Sequence, residues 1–228
     1  MPAAGESTEQ PKDGAAACRV VLVDDHTMVR EALSQLLEDC GWIEVVGQAG
    51  ERKTAIEEVR RAVPDVLLLD YNIPGGGALK VIEVLQANHW TRTRILVLTV
   101  HESFHYAVRV LEAGADGFAI KSDAGKELLQ AIDVVWKGGL YLAPSLSHEV
   151  LDHLRQPKRA RVGLEALSPR EFELFRILAE GKGLKEAAAL QHISVSTAST
   201  YRGRIMEKLN LSSTAELIRF AIENGVID

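Results

Sequence analysis

The sequence predicts an α/β fold, a doubly wound five-stranded parallel sheet, followed by a small all-α unit of four helices. Three observations carry this. Short apolar runs alternate with amphipathic stretches from Cys18 to about Lys137; the central run, Val66–Leu69, is apolar without alternation; and no strand pattern recurs after Leu164. Continuous apolar runs of strand length belong to strands covered on both faces, and strand–helix alternation implies parallel pairing.

The strands are expected at Arg19–Val23, Glu44–Ala49, Val66–Leu69, Arg94–Leu98 and Gly117–Ile120. Between them, Met28, Leu33, Leu36 and Leu37, then Ala55, Ile56 and Val59, then Leu79, Ile82 and Leu85 recur at helical spacing. The same holds for Ala107, Val108 and Leu111, and for Leu128, Ile132 and Val135. Such spacing places each set on one helical face. Gly41, Gly114 and Gly138 fall where helices should stop, and Pro64 precedes the third strand.

The 228 residues are enough for two modest domains, and the net charge of −6 argues against a wholly basic nucleic-acid binder without excluding local patches. Cys18 and Cys40 have neither metal-ligand spacing nor the makings of a disulfide framework, which suits a reducing compartment. Residues 1–17 are expected to form a disordered tail, 18–138 the α/β domain, 139–163 a linker with a short helix over Pro144–Leu154, and 164–228 the helical domain. Gln156–Gly163 is polar with three cations and no periodicity, the composition of a linker. No signal peptide or membrane span is evident, so a cytoplasmic protein without membrane contact is expected.

Chemistry collects at the carboxyl edge of the sheet. Asp24 and Asp25 follow the first strand, Asp70 ends the third, Thr99 the fourth and Lys121 the fifth. A lone strand-end aspartate is more often a turn cap, and each of the others has an equally plain reading. Five such groups at successive strand ends of one sheet point instead to a site. Three carboxylates suit Mg²⁺, a hard cation that keeps waters and phosphate oxygens among its ligands. With Asp70 as nucleophile, a hydroxyl and an ammonium would hold phosphoryl oxygens.

VLVDDHTMVREAL, DVLLLDYNIPGGG, ILVLTVHES and AGADGFAIKSD together resemble the receiver domain of two-component response regulators, over residues 18–137, with a flavodoxin-like fold. The resemblance implies that Asp70 accepts a phosphoryl group from a sensor histidine kinase. It implies that Asp25 binds Mg²⁺ directly, Asp24 mostly through water, and the backbone carbonyl of Asn72 as a further ligand. Thr99 and Phe118 would be the switch pair, the hydroxyl moving toward phosphate and the ring turning inward. The chain departs from the common pattern at Gly76–Gly77–Ala78, at Phe118 (often Tyr) and at Val100 (often smaller), while Asn72 and His101 occupy positions that tune hydrolysis in the family.

In the helical unit, helices are expected at Pro169–Glu180, Leu184–Leu190, Ser196–Leu209 and Thr214–Asn224. Ser168, Pro169 and Glu171 form a capping box with proline at the first helical position. Ala198, Ile205 and Leu209 share one face of the third helix; Ser199, Thr200, Gly203 and Arg204 lie on or beside the opposite face, which can enter a major groove. Arg202 and Lys208, nearer the core edge, can reach phosphates. The stretch from LSPREFELF to NGVI resembles the LuxR/NarL-type helix-turn-helix domain, with Thr214–Asn224 as dimerisation helix. Ser199 and Gly203 stand where many members carry longer side chains. Gln191 replaces an apolar residue, so the second helix is expected to pack through Leu190.

The whole reads as a DNA-binding response regulator, with a sensor histidine kinase, double-stranded promoter DNA and a second copy of itself as partners, and RNA polymerase as a further candidate. It would not be a metabolic enzyme. The alternative is a phosphorylation-controlled protein–protein adaptor, motivated by Ser199 and Gly203; a Mg²⁺-dependent phosphatase or phosphotransferase lacks an identifiable substrate pocket.

Overall fold

A computed structural model describes residues 17–90, 92–100, 102–121, 125–155 and 163–227. Residues 1–16 of the expected tail, all of Gln156–Gly163 except its final glycine, and His101 lie outside the described residues.

The first domain alternates β1 (Cys18–Val23), α1 (Thr27–Asp39), β2 (Ile43–Ala49), α2 (Arg52–Ala62), β3 (Val66–Asp70), α3 (Gly77–Ala87), β4 (Arg94–Thr99), α4 (Phe104–Glu112), β5 (Gly117–Ile120) and α5 (Gly125–Trp136). β6 (Tyr141–Leu142) and α6 (Pro144–Arg155) follow. All strand pairs are parallel, in the order β2-β1-β3-β4-β5-β6.

The unalternating apolar strands have a simple explanation in the two cores. Val21, Val23, Leu67, Leu69, Ile95 and Val97 pack into one core with α2, α3 and α4. Val20, Leu22, Val66, Leu68, Leu96 and Leu98 face the other, with α1 and α5. Every residue of β3 is buried, so both pleat faces demand apolar side chains. Cys18 is fully buried, and burial pushes its thiol up to about 12, the behaviour of a small hydrophobe.

The sheet has six strands, where the sequence predicts five. β6 is two residues long, too short for any periodicity to announce, and pairs with β5 at Gly117↔Tyr141 and Phe118↔Leu142. Gly117 permits this: a Cβ there would lie 2.8 Å from Leu96 Cδ1 and 3.2 Å from the Tyr141 carbonyl oxygen. α6 buries Leu146 and Val150 against α4, extending the packed structure beyond β6.

The helical domain comprises a 3₁₀ turn (Gly163–Ala166), α7 (Pro169–Ala179), α8 (Leu184–Leu190), α9 (Val195–Leu209) and α10 (Thr214–Glu223). The capping box forms: Ser168 N–H donates to Glu171 Oε2 at 2.8 Å and Glu171 N–H to Ser168 Oγ at 3.3 Å. Ser194 caps α9 by accepting from Thr197 N–H, and Asn210 closes it in the left-handed region. The packing of α8 differs from expectation. Ala187 and Ala188 are buried while Leu190 is 45 % exposed, because small side chains let α8 lie close to α9.

α7 is buried on more than one face. Phe172, Leu174, Phe175, Ile177, Leu178 and even Glu173 are nearly inaccessible, as in a helix held between two layers. One layer is α8 to α10; the other is the first domain, whose Tyr71 and Tyr106 share a hydrophobic core with Phe172.

His105 on α4 is half-buried near this junction, and burial, then Arg109 and His153, lower its pKa from 6.5 to about 4. Between those values the unfolded chain binds a proton that the folded one refuses. Its contribution to stability is therefore complete above about pH 6.5 and lost as pH falls toward 4. Denaturant midpoints should decline from pH 7 to pH 5, and His105→Gln should flatten that decline; an unaltered slope in the variant would assign the effect elsewhere.

Candidate functional site

β1 and β3 are neighbours, with Val23↔Leu69 in register, so Asp24 and Asp70 leave adjacent strands at one edge. Asp24 N–H donates to the Ala49 carbonyl at 3.1 Å, and Asp24 Oδ1 accepts from His26 N–H at 2.8 Å. One oxygen thus closes a local turn ahead of α1, whose N-cap, His26, has no side-chain cap bond. The other, Oδ2, is 2.6 Å from Lys121 Nζ, which also lies 3.1 Å from Asp70 Oδ1. One ammonium bridges two buried carboxylates, a charge-assisted arrangement far stronger than an exposed pair.

Ligand atoms of Asp24, Asp25, His26 and Asp70 all lie within 4.8 Å of one another. Asp25 is the accessible carboxylate, its Oδ1 2.8 Å from His26 Nδ1. Burial raises the pKa of Asp70, Lys121 opposes that, Asp24 adds to it, and a hydrogen bond from the Asn72 backbone opposes it again. Asn72 also has a buried side-chain oxygen, Oδ1, without a hydrogen-bond partner. A cluster of hard oxygen donors, Asp24 and Asp70 buried and Asp25 open to solvent, carrying more negative charge than one lysine neutralises suits a divalent cation such as Mg²⁺.

Thr99 is fully buried at the end of β4, and Lys121 N–H donates to its carbonyl at 2.6 Å. Phe118 lies one strand over, paired with Val97, and is also fully buried. Its ring is already inside the fold, where the resemblance has it turning inward on activation. Val100 is 63 % exposed beside Thr99.

On α9, Ser199, Thr200, Gly203 and Arg204 are exposed together, opposite buried Ala198, Ile205 and Leu209. The two cations nearer the core are engaged within the domain. Arg202 donates to Thr214 Oγ1 at 3.1 Å, and Lys208 Nζ is 2.6 Å from Glu171 Oε2. A Cβ on Gly203 would meet nothing within 4 Å, so packing inside the chain does not require glycine there. Glycine in a helix interior costs about 0.5–1 kcal/mol relative to alanine. Gly203→Ala should raise the thermal midpoint of the helical domain accordingly; a lowered midpoint would reveal a steric demand.

Two residues inside the quoted motifs, but given no role from sequence, lie at the site. His26 adds a nitrogen to the carboxylate cluster, and Tyr71, next to Asp70, donates its hydroxyl to Glu173 Oε1 at 2.9 Å. His26 was adjacent to a recognised acid pair and could have been found; the partner of Tyr71 is 102 positions away.

Known proteins bear on this geometry. Residues 20–133 match the family model for the response regulator receiver domain, and residues 165–221 that for bacterial regulatory proteins of the luxR family. The transcriptional regulatory protein MctR of Rhizobium johnstonii is 34 % identical, with 96 % of this chain and 98 % of MctR covered. The response regulator GacA of Pseudomonas viridiflava is 32 % identical, with 92 % and 98 % covered. The structure of RcsB from Salmonella enterica serovar Typhimurium, bound to a promoter in the presence of the phosphomimetic BeF₃⁻, superposes with a TM-score of 0.67 at 25 % identity, covering 89 % of this chain and 97 % of RcsB. Both halves of the molecule, in the same order and over nearly its full length, therefore have one set of relatives. The chain belongs to the LuxR family of response regulators, DNA-binding regulators of transcription.

Proposed function

We propose that Asp70 is the phosphoacceptor, that a sensor histidine kinase is its donor, and that phosphorylation controls dimerisation and promoter binding. The observation that carries this is the single ammonium of Lys121 set 2.6 Å from Asp24 and 3.1 Å from Asp70 at the rim of an acidic cluster. An Asp70 oxygen attacks phosphorus as the bond to the donor nitrogen breaks, and the imidazole leaves with a proton. Lys121 and the Thr99 hydroxyl are assigned to the phosphoryl oxygens, and Thr99 with Phe118 to the switch. Asp24, Asp25, Asp70 and the Asn72 carbonyl would hold Mg²⁺, which when bound neutralises charge building on the transferred group. The receiver then acts on itself alone and is not a metabolic enzyme.

The output is assigned to α9, with Ser199, Thr200, Gly203 and Arg204 facing the major groove and Arg202 and Lys208 reaching phosphates from its edges. One small domain offers few contacts, so two copies on two half-sites supply the affinity. RNA polymerase is a further partner in this reading. No helix among the described residues is long and apolar enough to cross a membrane, and we place the protein in the cytoplasm, where kinase domain and promoter meet.

Selection from random duplexes, repeated with and without beryllofluoride and Mg²⁺, tests both halves. A two-fold symmetric site with a steep salt dependence, bound more tightly with beryllofluoride, is expected. Arg204→Ala should weaken that binding. Equal affinity and equal oligomeric state in the two conditions would overturn the phospho-switch.

A further inference from the structure

Lys121 engages only part of the carboxylate cluster. Its ammonium takes Asp24 Oδ2 at 2.6 Å and Asp70 Oδ1 at 3.1 Å. Asp24 Oδ1 and Asp25 Oδ1 instead approach an imidazole: His26 Nδ1 lies 2.8 Å from the Asp25 oxygen and 3.5 Å from the Asp24 oxygen. Neighbouring ligands on an ion bonded at about 2.1 Å stand about 3.0 Å apart in an octahedron and about 3.4 Å apart in a tetrahedron. The two distances at His26 Nδ1 span that range. Ligand atoms of Asp24, Asp25, His26 and Asp70 all fall within 4.8 Å of one another. Opposite ligands on such an ion are about 4.2 Å apart, so a closure of about half an ångström would seat all four.

The loop that carries these groups is held at its backbone. His26 N–H donates to Asp24 Oδ1 at 2.8 Å, and the His26 carbonyl accepts from Arg30 N–H at 3.0 Å. The Arg30 guanidinium donates to the Asp24 carbonyl, tying both aspartates and the histidine to the first turn of α1. The imidazole itself is 71 % exposed, so it can turn onto an ion without repacking any neighbour. Asp25, His26 and Asn72 line a cleft of about 910 Å³, which leaves room for waters on the open side.

The plain reading of His26 is an exposed histidine–aspartate pair, worth about 1 kcal/mol or less. Two features favour a ligand instead. One nitrogen stands against two different carboxylates of the same cluster. The cluster also sets three carboxylates against one ammonium, so a proton on the imidazole would still leave it negative. The donor set then decides the class of ion. Oxygen atoms alone suit Mg²⁺, whereas an imidazole adds affinity for first-row transition ions and little for Mg²⁺.

Resting on the assignment of Asp24, Asp25 and Asp70 as the metal-binding carboxylates, we propose that His26 is a further ligand there, which makes the site a mixed nitrogen–oxygen centre selecting a first-row transition ion over Mg²⁺. The carboxylates hold either ion. The imidazole sets which of them occupies the site when both are present.

The test uses the full chain and Mn²⁺ as the probe, read by pulsed electron paramagnetic resonance and by competition with Mg²⁺. Wild type should bind a Mn²⁺ that Asp25→Asn loses, and its spectrum should show coupling to a directly bound imidazole nitrogen. His26→Ala should abolish that coupling and lower the ratio of Mn²⁺ to Mg²⁺ affinity by about tenfold, the scale expected for losing one nitrogen donor. His26→Gln, which offers an oxygen in place of the nitrogen, should show the same lowered ratio. Nitrogen coupling that survives in His26→Ala, or a ratio unchanged in both variants, overturns the inference. Mn²⁺ that needs Asp25 but shows no nitrogen coupling overturns it while leaving the carboxylate assignment standing. Wild type that binds neither ion at Asp25 brings down the carboxylate assignment, and the histidine with it.

Discussion

Asp70→Asn is expected to abolish acid-labile phosphoryl incorporation from a small phosphodonor, by more than about hundredfold, while the fold persists. The loss follows from chemistry, since a carboxamide has no nucleophilic oxygen comparable to a carboxylate. The persistence follows from the environment. Asp70 is 4 % exposed, and burial raises its pKa, so its charge is held against a desolvation cost that the neutral amide avoids. Lys121 keeps Asp24 as its ion-pair partner at 2.6 Å, so the variant does not strand a buried ammonium. Intact-mass measurement after incubation with the phosphodonor checks the uptake, and circular dichroism the fold. Undiminished incorporation in the variant would move the acceptor to Asp24 or Asp25.

Phe172→Ala should produce the largest loss of stability, about 3–5 kcal/mol, the usual cost of deleting a buried aromatic ring. Phe172 is fully buried, packs edge-on against Tyr106 and 6.3 Å from Phe175, and supports the Arg109 guanidinium at 3.9 Å. Losing the ring opens a cavity and removes a cation–π contact from an arginine that also caps two carbonyls at the junction. A helical unit of this size rarely holds more than about 3–5 kcal/mol of net stability on its own. Denaturant unfolding, read by hydrogen exchange in each domain, should therefore show the helical domain melting well before the receiver. A single transition at the wild-type midpoint would show that the junction contributes nothing to the stability of α7.

The parts legible in the sequence share a property: their signal is carried by residues close to one another in the chain. The strands are recognisable because β3 must satisfy two apolar faces at once, and Val66–Leu69 does so without a polar break. The helical domain is recognisable by its capping box at Ser168 and Glu171 and by Ala198, Ile205 and Leu209 on one face of α9. The acidic site is legible for a subtler reason. A parallel sheet brings successive strand ends to one edge, so Asp24, Asp70, Thr99 and Lys121 converge as a consequence of topology. The sixth strand escaped because two residues have no period. The exposure of Leu190 escaped because alternatives of similar hydrophobicity sat beside it, and only the approach of α8 to α9 selects among them.

Sequence alone thus determined the two folds, the acidic cluster at the carboxyl edge and the exposed polar face of α9, since each is written in spacing along one element or in strand ends that topology gathers. Only the tertiary structure decided which of those groups are already engaged. Lys208 is a free basic residue by sequence and the ion-pair partner of Glu171 in space; Tyr71 is a loop aromatic by sequence and a hydrogen-bond donor to Glu173 of the other domain in space. A hydrogen bond between residues 102 positions apart leaves no trace in local pattern, because its energy depends on two surfaces meeting and neither surface encodes the other.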